Sequence, residues 1–481
     1  MASLNFDEAA HLLRRMGFGG PPEELEFLTT LGREGAVDAL INYTQTDNSA
    51  LDDLIAQSFD FSNPDIFERF NRGELQRWWM TRMVYSKRPF EEKMTLFWHN
   101  HFATAANKVD DRFMFVQNLK LRAQALDRFD NLLLTVSQDP AMLIWLDGIV
   151  NVRGKPNENF ARELQELFTM GIKDVVTGEA NYTEQDVQEI ARAFTGWKFF
   201  FNRGTRDPFN YPFLVNPAEH DELPKTVYGQ TANFTGQDII SIVSNKRATG
   251  RFLVYKFFNF FVYPLDTANA ADRSTIEKFA DVYFASNHSI KELARAIFVS
   301  DEFFSERARF ALVKTPVELV VGAVRMLGAR YNPGDYNPRT SSNILAQIVS
   351  FLGQELFNPP DVAGWRLQLG WINTSWLLNR YTFADFLTIS RTADLNAPGV
   401  WIPHDQIKRY TKANVKKTVR NFLSVLGPLP VDASVNLALR NYLQTGDDGN
   451  PVTFVKDDLT VDKKVRGLVH LMMSLSEFQL N

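Results

Sequence analysis

The segment Phe97-Trp98-His99-Asn100-His101-Phe102 carries two imidazoles, two residues apart. Imidazole is a common metal ligand and an acid–base group near neutral pH. An extended His-x-His puts both rings on one side of the backbone. Here the preceding residues read as helix, because Phe90, Met94, Phe97, Trp98, His101 and Phe102 fall on one stripe. At about 100° per residue, His99 then points almost opposite to His101. His101 is expected in the core, and His99 is expected to be exposed or to contact another segment.

A second constellation is Asn157-Glu158-Asn159-Phe160-Ala161-Arg162-Glu163-Leu164-Gln165-Glu166-Leu167-Phe168. Its apolar stripe is Phe160, Leu164 and Leu167, with Glu163 about 60° from the stripe's centre. A carboxylate at the edge of an apolar face requires a cation, a metal or donor groups. Arg14 and Arg15 are candidate cations, and His220 and Asp221 would share a metal with it. Glu158 and Arg162 lie on the polar face as an i,i+4 pair. A third constellation, Ala218-Glu219-His220-Asp221 with Lys225, suits a metal ligand beside a carboxylate, or a general base. Its plainer alternative is a turn in which Asp221 caps its own backbone. Glu163, His220 and Asp221 are thus the candidate catalytic residues. Trp365, Trp371 and Asn373 offer a sugar-stacking platform, against the alternative of core aromatics around a rigid loop. Gly17-Phe-Gly-Gly20 before a helix suits an anion cradle, but a helix C-cap followed by a proline start explains it equally. Gly-x-Ser-x-Gly, Walker A, Rossmann and His-Glu-x-x-His motifs are absent from the sequence.

The elements that must position these residues are helical nearly everywhere. The spacing predicts helices over 5–16, 22–32, 74–86, 89–104, 112–136, 157–171, 236–246, 275–285, 289–299, 342–353, 375–390, 414–425 and 463–476. Thr183 with Asp186, and Thr315-Pro-Val-Glu318, read as capping boxes. The exception is 197–235, where Trp197-Lys-Phe-Phe-Phe201, a turn and a return over Tyr211–Val215 read as a hairpin. The expected fold class is mainly α, a large multi-helix body with a small β-hairpin insertion. The division is 1–196, 197–235 and 236–481, with one continuous globular unit as the alternative. Loops are expected at 332–341, 393–404 and 444–456.

Composition narrows the chemistry. The 481 residues contain no Cys, which excludes disulfides, thiolate metal sites and Cys nucleophiles. The net charge of −5, from 52 basic and 57 acidic residues, gives no global basic field for nucleic acid. The 40 phenylalanines point to a large aromatic core. No apolar run approaches the ~20 residues of a membrane-spanning helix, and the start lacks the charge and hydropathy pattern of a signal peptide.

Taken in order, the blocks resemble one family. They are His11-Leu-Leu-Arg-Arg-Met-Gly-Phe-Gly19, Phe97-Trp-His-Asn-His-Phe102, Asp139-Pro-Ala-Met-Leu143 with Leu146-Asp147, and Asn157 to Phe168. They continue with Tyr182 to Phe194-Thr-Gly-Trp197, His220-Asp221 with Lys225, Arg251-Phe252, Val313-Lys-Thr-Pro-Val-Glu-Leu319, and Gly353-Gln354 to Pro360-Asp-Val-Ala-Gly-Trp365. Over nearly its whole length the chain resembles the bacterial domain of unknown function 1800 family. One departure is Lys246-Arg247, where the family has His-Pro. The resemblance implies a mostly helical, exported protein, periplasmic or extracellular, often encoded beside a sulfatase-like exported partner. It brings no established activity. Pooling the polar positions of the blocks gives a metal set of His99, Asp147, Glu158, Glu163 and His220, suited to a divalent ion such as Zn, Mn or Fe in a hydrolase or oxidoreductase. The alternative is a non-catalytic envelope scaffold, or a module binding a polysaccharide or protein, in which these groups form buried networks.

Overall fold

The computed structural model describes residues 2–59, 71–200, 207, 209–333, 344–389 and 399–481. As the 3.6-residue periodicity predicts, it is mainly helical, and the described residues carry three two-stranded antiparallel sheets. The apolar side chains from Leu4 to Phe478 form one buried cluster.

Helix Pro89–His101 runs through that cluster. All but one of its residues are buried, and it touches helices Phe6–Met16, Pro22–Ile41, Arg72–Tyr85 and Asp111–Ala123. A helix buried all round must satisfy its polar side chains internally. Glu92, 0% exposed, does so by accepting from Trp79 Nε1 (3.0 Å), Arg82 Nε (2.7 Å) and Arg122 Nε and Nη2 (3.0 and 2.9 Å). Burial pushes this carboxyl upward, but Arg122 and Arg82 outweigh it and hold it at about 2.

Both expected capping boxes form, at Thr183/Asp186 and Thr315/Glu318, and Asn5 with Glu8 adds another. The helix expected over 22–32 ends at Gly32, φ 67°, and a second helical segment continues from there to Ile41. Two expectations are corrected, and a third element was not foreseen. First, 112–136 is two helices, Asp111–Ala123 and Phe129–Ser137. Between them Ala125 O accepts from Trp98 Nε1, and Phe129 N donates to His288 O, so tertiary partners replace the i−4 ladder. Second, 157–171 is α-helical only over Asn159–Glu163 and continues as a π-helix over Leu164–Thr169. Third, Arg247–Phe261 is a helix, hidden in the sequence because its aromatic residues face several sides. Ser49–Ser58, Pro140–Trp145, His404–Tyr410 and Ala433–Leu443 are further helices without a clear sequence signal.

In the insertion Trp197–Phe199 pairs with Phe213–Val215, Trp197 opposite Val215, as the hairpin expectation requires. Residues 201–206 and 208 of the connecting turn lie outside the described residues. A second hairpin joins Lys225–Val227 to Gln230–Ala232. Strand structure is not confined to 197–235, since Arg330–Tyr331 pairs with Val400–Trp401. The loop expected at 332–341 lies mostly outside the described residues, as do residues 393–398, but within 399–404 strand Val400–Trp401 and the start of helix His404–Tyr410 replace the expected loop.

Removing one partner of a buried ion pair leaves uncompensated charge. Glu92→Gln is expected to lower unfolding free energy by about 3 kcal/mol, measured by urea denaturation at pH 7. The folded-state pKa lies below the ordinary 4.5, so the Glu92 contribution is complete above about pH 4.5 and is lost as pH falls toward 2. The variant's deficit should therefore shrink over that window. A deficit that is constant down to pH 3 would show that the ion cluster is not its source.

Candidate functional site

His101 and His99 sit on opposite sides of the helix carrying them, and both are buried, 3% and 1% exposed. The His101 Nε2–H donates to Phe168 O at 2.9 Å, on the π-helix, since a carbonyl only accepts. His99 contacts another segment, its ring lying against Trp79, Phe357 and Trp365 at 5.2–5.4 Å between centroids. Neither His99 ring nitrogen has a hydrogen-bond partner among the described residues. Burial holds both imidazoles near pKa 3, so both are neutral at physiological pH.

Asp147 caps a short 3₁₀ turn with φ of 59° and pairs with Lys108 Nζ at 2.8 Å. It also accepts from Asn159 Nδ2 at 3.2 Å. Glu158 and Arg162 form the expected i,i+4 pair at 3.3 Å, and Arg162 also holds Glu184. Asp221 is buried and bound by Arg192 at 2.8 and 3.3 Å. That hydrogen bond with Arg192 holds its carboxyl below the ordinary value, against burial. Its carbonyl accepts from Lys225 Nζ. His220 Nδ1–H donates to Thr195 O at 2.8 Å. Lys108 and Arg192 were not legible as partners, because they lie 39 and 29 residues from the carboxylates they hold.

Glu163 differs from these. It is half-buried, and its carboxylate makes no hydrogen bond or ion pair among the described residues. Arg14 and Arg15 are not its partners, as they bond Gly427 O, and Ala308 O and Asn481 O. Burial raises the Glu163 carboxyl first and Glu166 raises it further, with Arg162 opposing.

The blocks meet one another rather than a shared cleft. Gly364 has φ of 88°, and a Cβ there would lie 2.4 Å from Asn100 O. The loop ahead of Trp365 therefore lies directly on the His-Asn-His segment, and Trp365 N donates to Asn100 Oδ1. At Gly196, φ 77°, a Cβ would meet Asn216 O at 2.7 Å, so Phe194-Thr-Gly-Trp197 can seat the chain leading to His220. Asn151 ties this region to the 157 block through Asn157 N, Ala191 O and Gly196 N. Trp365 and Trp371 are 5% and 2% exposed, so the expected open sugar platform does not form. Asn373 caps Trp376 N instead. The metal set is likewise dispersed. No three His, Asp or Glu side chains among the described residues are grouped to hold an ion.

Residues 11–480 match the family described as Protein of unknown function (DUF1800). The chain belongs to this family. No curated protein and no solved structure matches it. Where the DUF1800 resemblance expects His-Pro, Lys246 lies 4.0 Å over the Tyr228 ring, and Arg247 pairs with Glu277 and Asp281.

Because the folded-state pKa of Glu163 is raised, ionisation costs stability as pH rises above the ordinary 4.5. Glu163→Gln should therefore be at least as stable as the parent at pH 7 and equal to it near pH 4, by thermal denaturation. A lower midpoint at pH 7 would reveal a partner that holds the charge. His99→Phe should cost little, since an unpaired polar ring is replaced by an apolar one of similar shape. His101→Phe should cost about 1–3 kcal/mol by leaving Phe168 O unsatisfied.

Proposed function

We propose that this DUF1800 chain is a non-catalytic scaffold of the bacterial envelope that works by holding a partner protein. The observation that supports this is the docking of the sequence blocks onto one another. Asp147 with Lys108, Asp221 with Arg192, Asn151 with Gly196 and Trp365 with Asn100 each join segments distant in the chain. Polar groups used in this way fix a large fold and leave few free for chemistry. Export, and a sulfatase-like exported partner, come from the family resemblance.

A second reading has one observation in its favour. Glu163 is a half-buried carboxyl with a raised pKa and no partner, the state expected of a ligand or acid group awaiting its ion or substrate. In that reading His220, whose Nε2 is left as an acceptor, is the nearest candidate in chemical type.

Elemental analysis and size-exclusion chromatography separate the two. The scaffold reading expects no stoichiometric Zn, Mn or Fe in the purified chain, and co-elution with the sulfatase-like protein encoded beside it. One metal per chain that is lost in Glu163→Gln, with separate elution of the two proteins, would replace it with the metal-enzyme reading.

A further inference from the structure

A cavity of about 600 Å³ opens between the first helix, Phe6–Met16, and the segment that follows helix Val415–Val425. Its volume lies within the ~300–1,000 Å³ of small-ligand sites. Arg14, Arg309 and Arg420 face it, opposed by Asp7 and Glu306, which leaves an excess of one positive charge. The pairing inside is poor. Arg14 is 4% exposed, donates Nη1 to Gly427 O at 2.9 Å and lies 4.6 Å over the Phe310 ring. Its Nε has no partner, and no carboxylate lies within ion-pair distance of it among the described residues. Arg309 reaches Glu306 only at 3.7 Å. Arg420 has no ion pair among the described residues.

His11 also lines the cavity, 1% exposed. Its Nε2–H is committed to Phe303 O at 3.0 Å, and its Nδ1 has no partner among the described residues. Burial, then Arg15 and Arg14, hold the ring neutral, so Nδ1 is a lone pair. Behind this wall stands Arg15, also buried, whose charge acts on His11 and is itself opposed by Glu318. A buried guanidinium without a counter-charge is costly, and an incoming anion relieves it. Leu423, Leu429 and Val431 form an apolar part of the remaining lining, beside the polar Ser424 and Asn436.

We propose that this cavity binds a small organic acid, its carboxylate held by Arg14, Arg309 and Arg420 and its apolar body against Leu423, Leu429 and Val431. The single excess charge matches a carboxylate. A phosphate monoester, at about −1.5 to −2, would overcompensate it. The site is independent of the scaffold reading, since it uses none of the residues that join the blocks.

Calorimetric titration of the full chain with butyrate, hexanoate and decanoate tests it, with inorganic phosphate and hexylamine as controls. Saturable binding of one acid per chain is expected for at least one of the three. Affinity should fall by about ten-fold or more in Arg309→Gln/Arg420→Gln, since the half-buried Arg309 and the exposed Arg420 can change without loss of fold. Arg14→Gln should abolish binding, and where that variant fails to fold the double variant decides alone. Absence of saturable binding by all three acids up to about 10 mM overturns the proposal. So does an unchanged affinity in the double variant, binding of hexylamine as tight as that of the acids, or phosphate binding tighter than all three.

Discussion

One buried carboxylate holds the two ends of this chain to its middle. Glu318 closes the capping box of helix Pro316–Met326, its Oε2 accepting from Thr315 N at 2.7 Å. Its Oε1 takes Lys93 Nζ, from the central helix, and Lys93 also donates to Gly17 O. Arg15, Lys314 and Arg380 are buried in the same field. Burial pushes Arg15 down to about 9 and Arg380 to about 10, and the Glu318 charge opposes it in both. Their donors go to the last residues: Arg15 to Asn481 O, Lys314 to Phe478 O and Arg380 to the Gln479 side chain. Without Glu318, Arg15, Lys93, Lys314 and Arg380 would face one another with no anion among them. Buried charge is tolerable only when paired and hydrogen-bonded.

The same constraint acts at Glu92, where two arginines and an indole N–H surround a carboxylate with no solvent contact. The central helix thus carries a carboxylate at 92 and an ammonium at 93, each answered by helices from elsewhere in the sequence. Packing in between is aromatic. Phe97 lies within 6 Å of the rings of Trp98, Phe257, Phe260 and Phe261. Edge-on contacts of this kind add about 0.5–1.5 kcal/mol each beyond area burial. They also explain why histidines resembling metal ligands are core residues. The aromatic cage around His99 excludes water and disfavours the imidazolium.

Function and interlock draw on the same residue types. Asp147, Asp221 and Glu158 are each matched by Lys108, Arg192 and Arg162. The poorly matched charges lie elsewhere, at Glu163 and along the cavity beside His11. An unmatched charge in a well-paired background is the physical mark of a group waiting for something outside the chain.

Features that depend on residues three or four apart were readable from the amino-acid order alone. Thr315 with Glu318, Thr183 with Asp186, Glu158 with Arg162 and the opposed faces of His99 and His101 were legible, because a helix fixes those distances. The Trp197–Val215 hairpin was legible from alternation and turn residues. Helix Arg247–Phe261 was not, since Phe252 and Tyr255 stand on its less buried side and blur the apolar stripe. Nor was the break after Ala123, where Trp98 and His288 supply the bonds. The spread of the expected metal set, the burial of Trp365 and Trp371, and the meeting of His11 and Arg14 with Arg420 were decided only by the tertiary structure. A cation in one helix finds its carboxylate, or fails to find one, across hundreds of residues, and local propensity carries no record of which partner will be nearest.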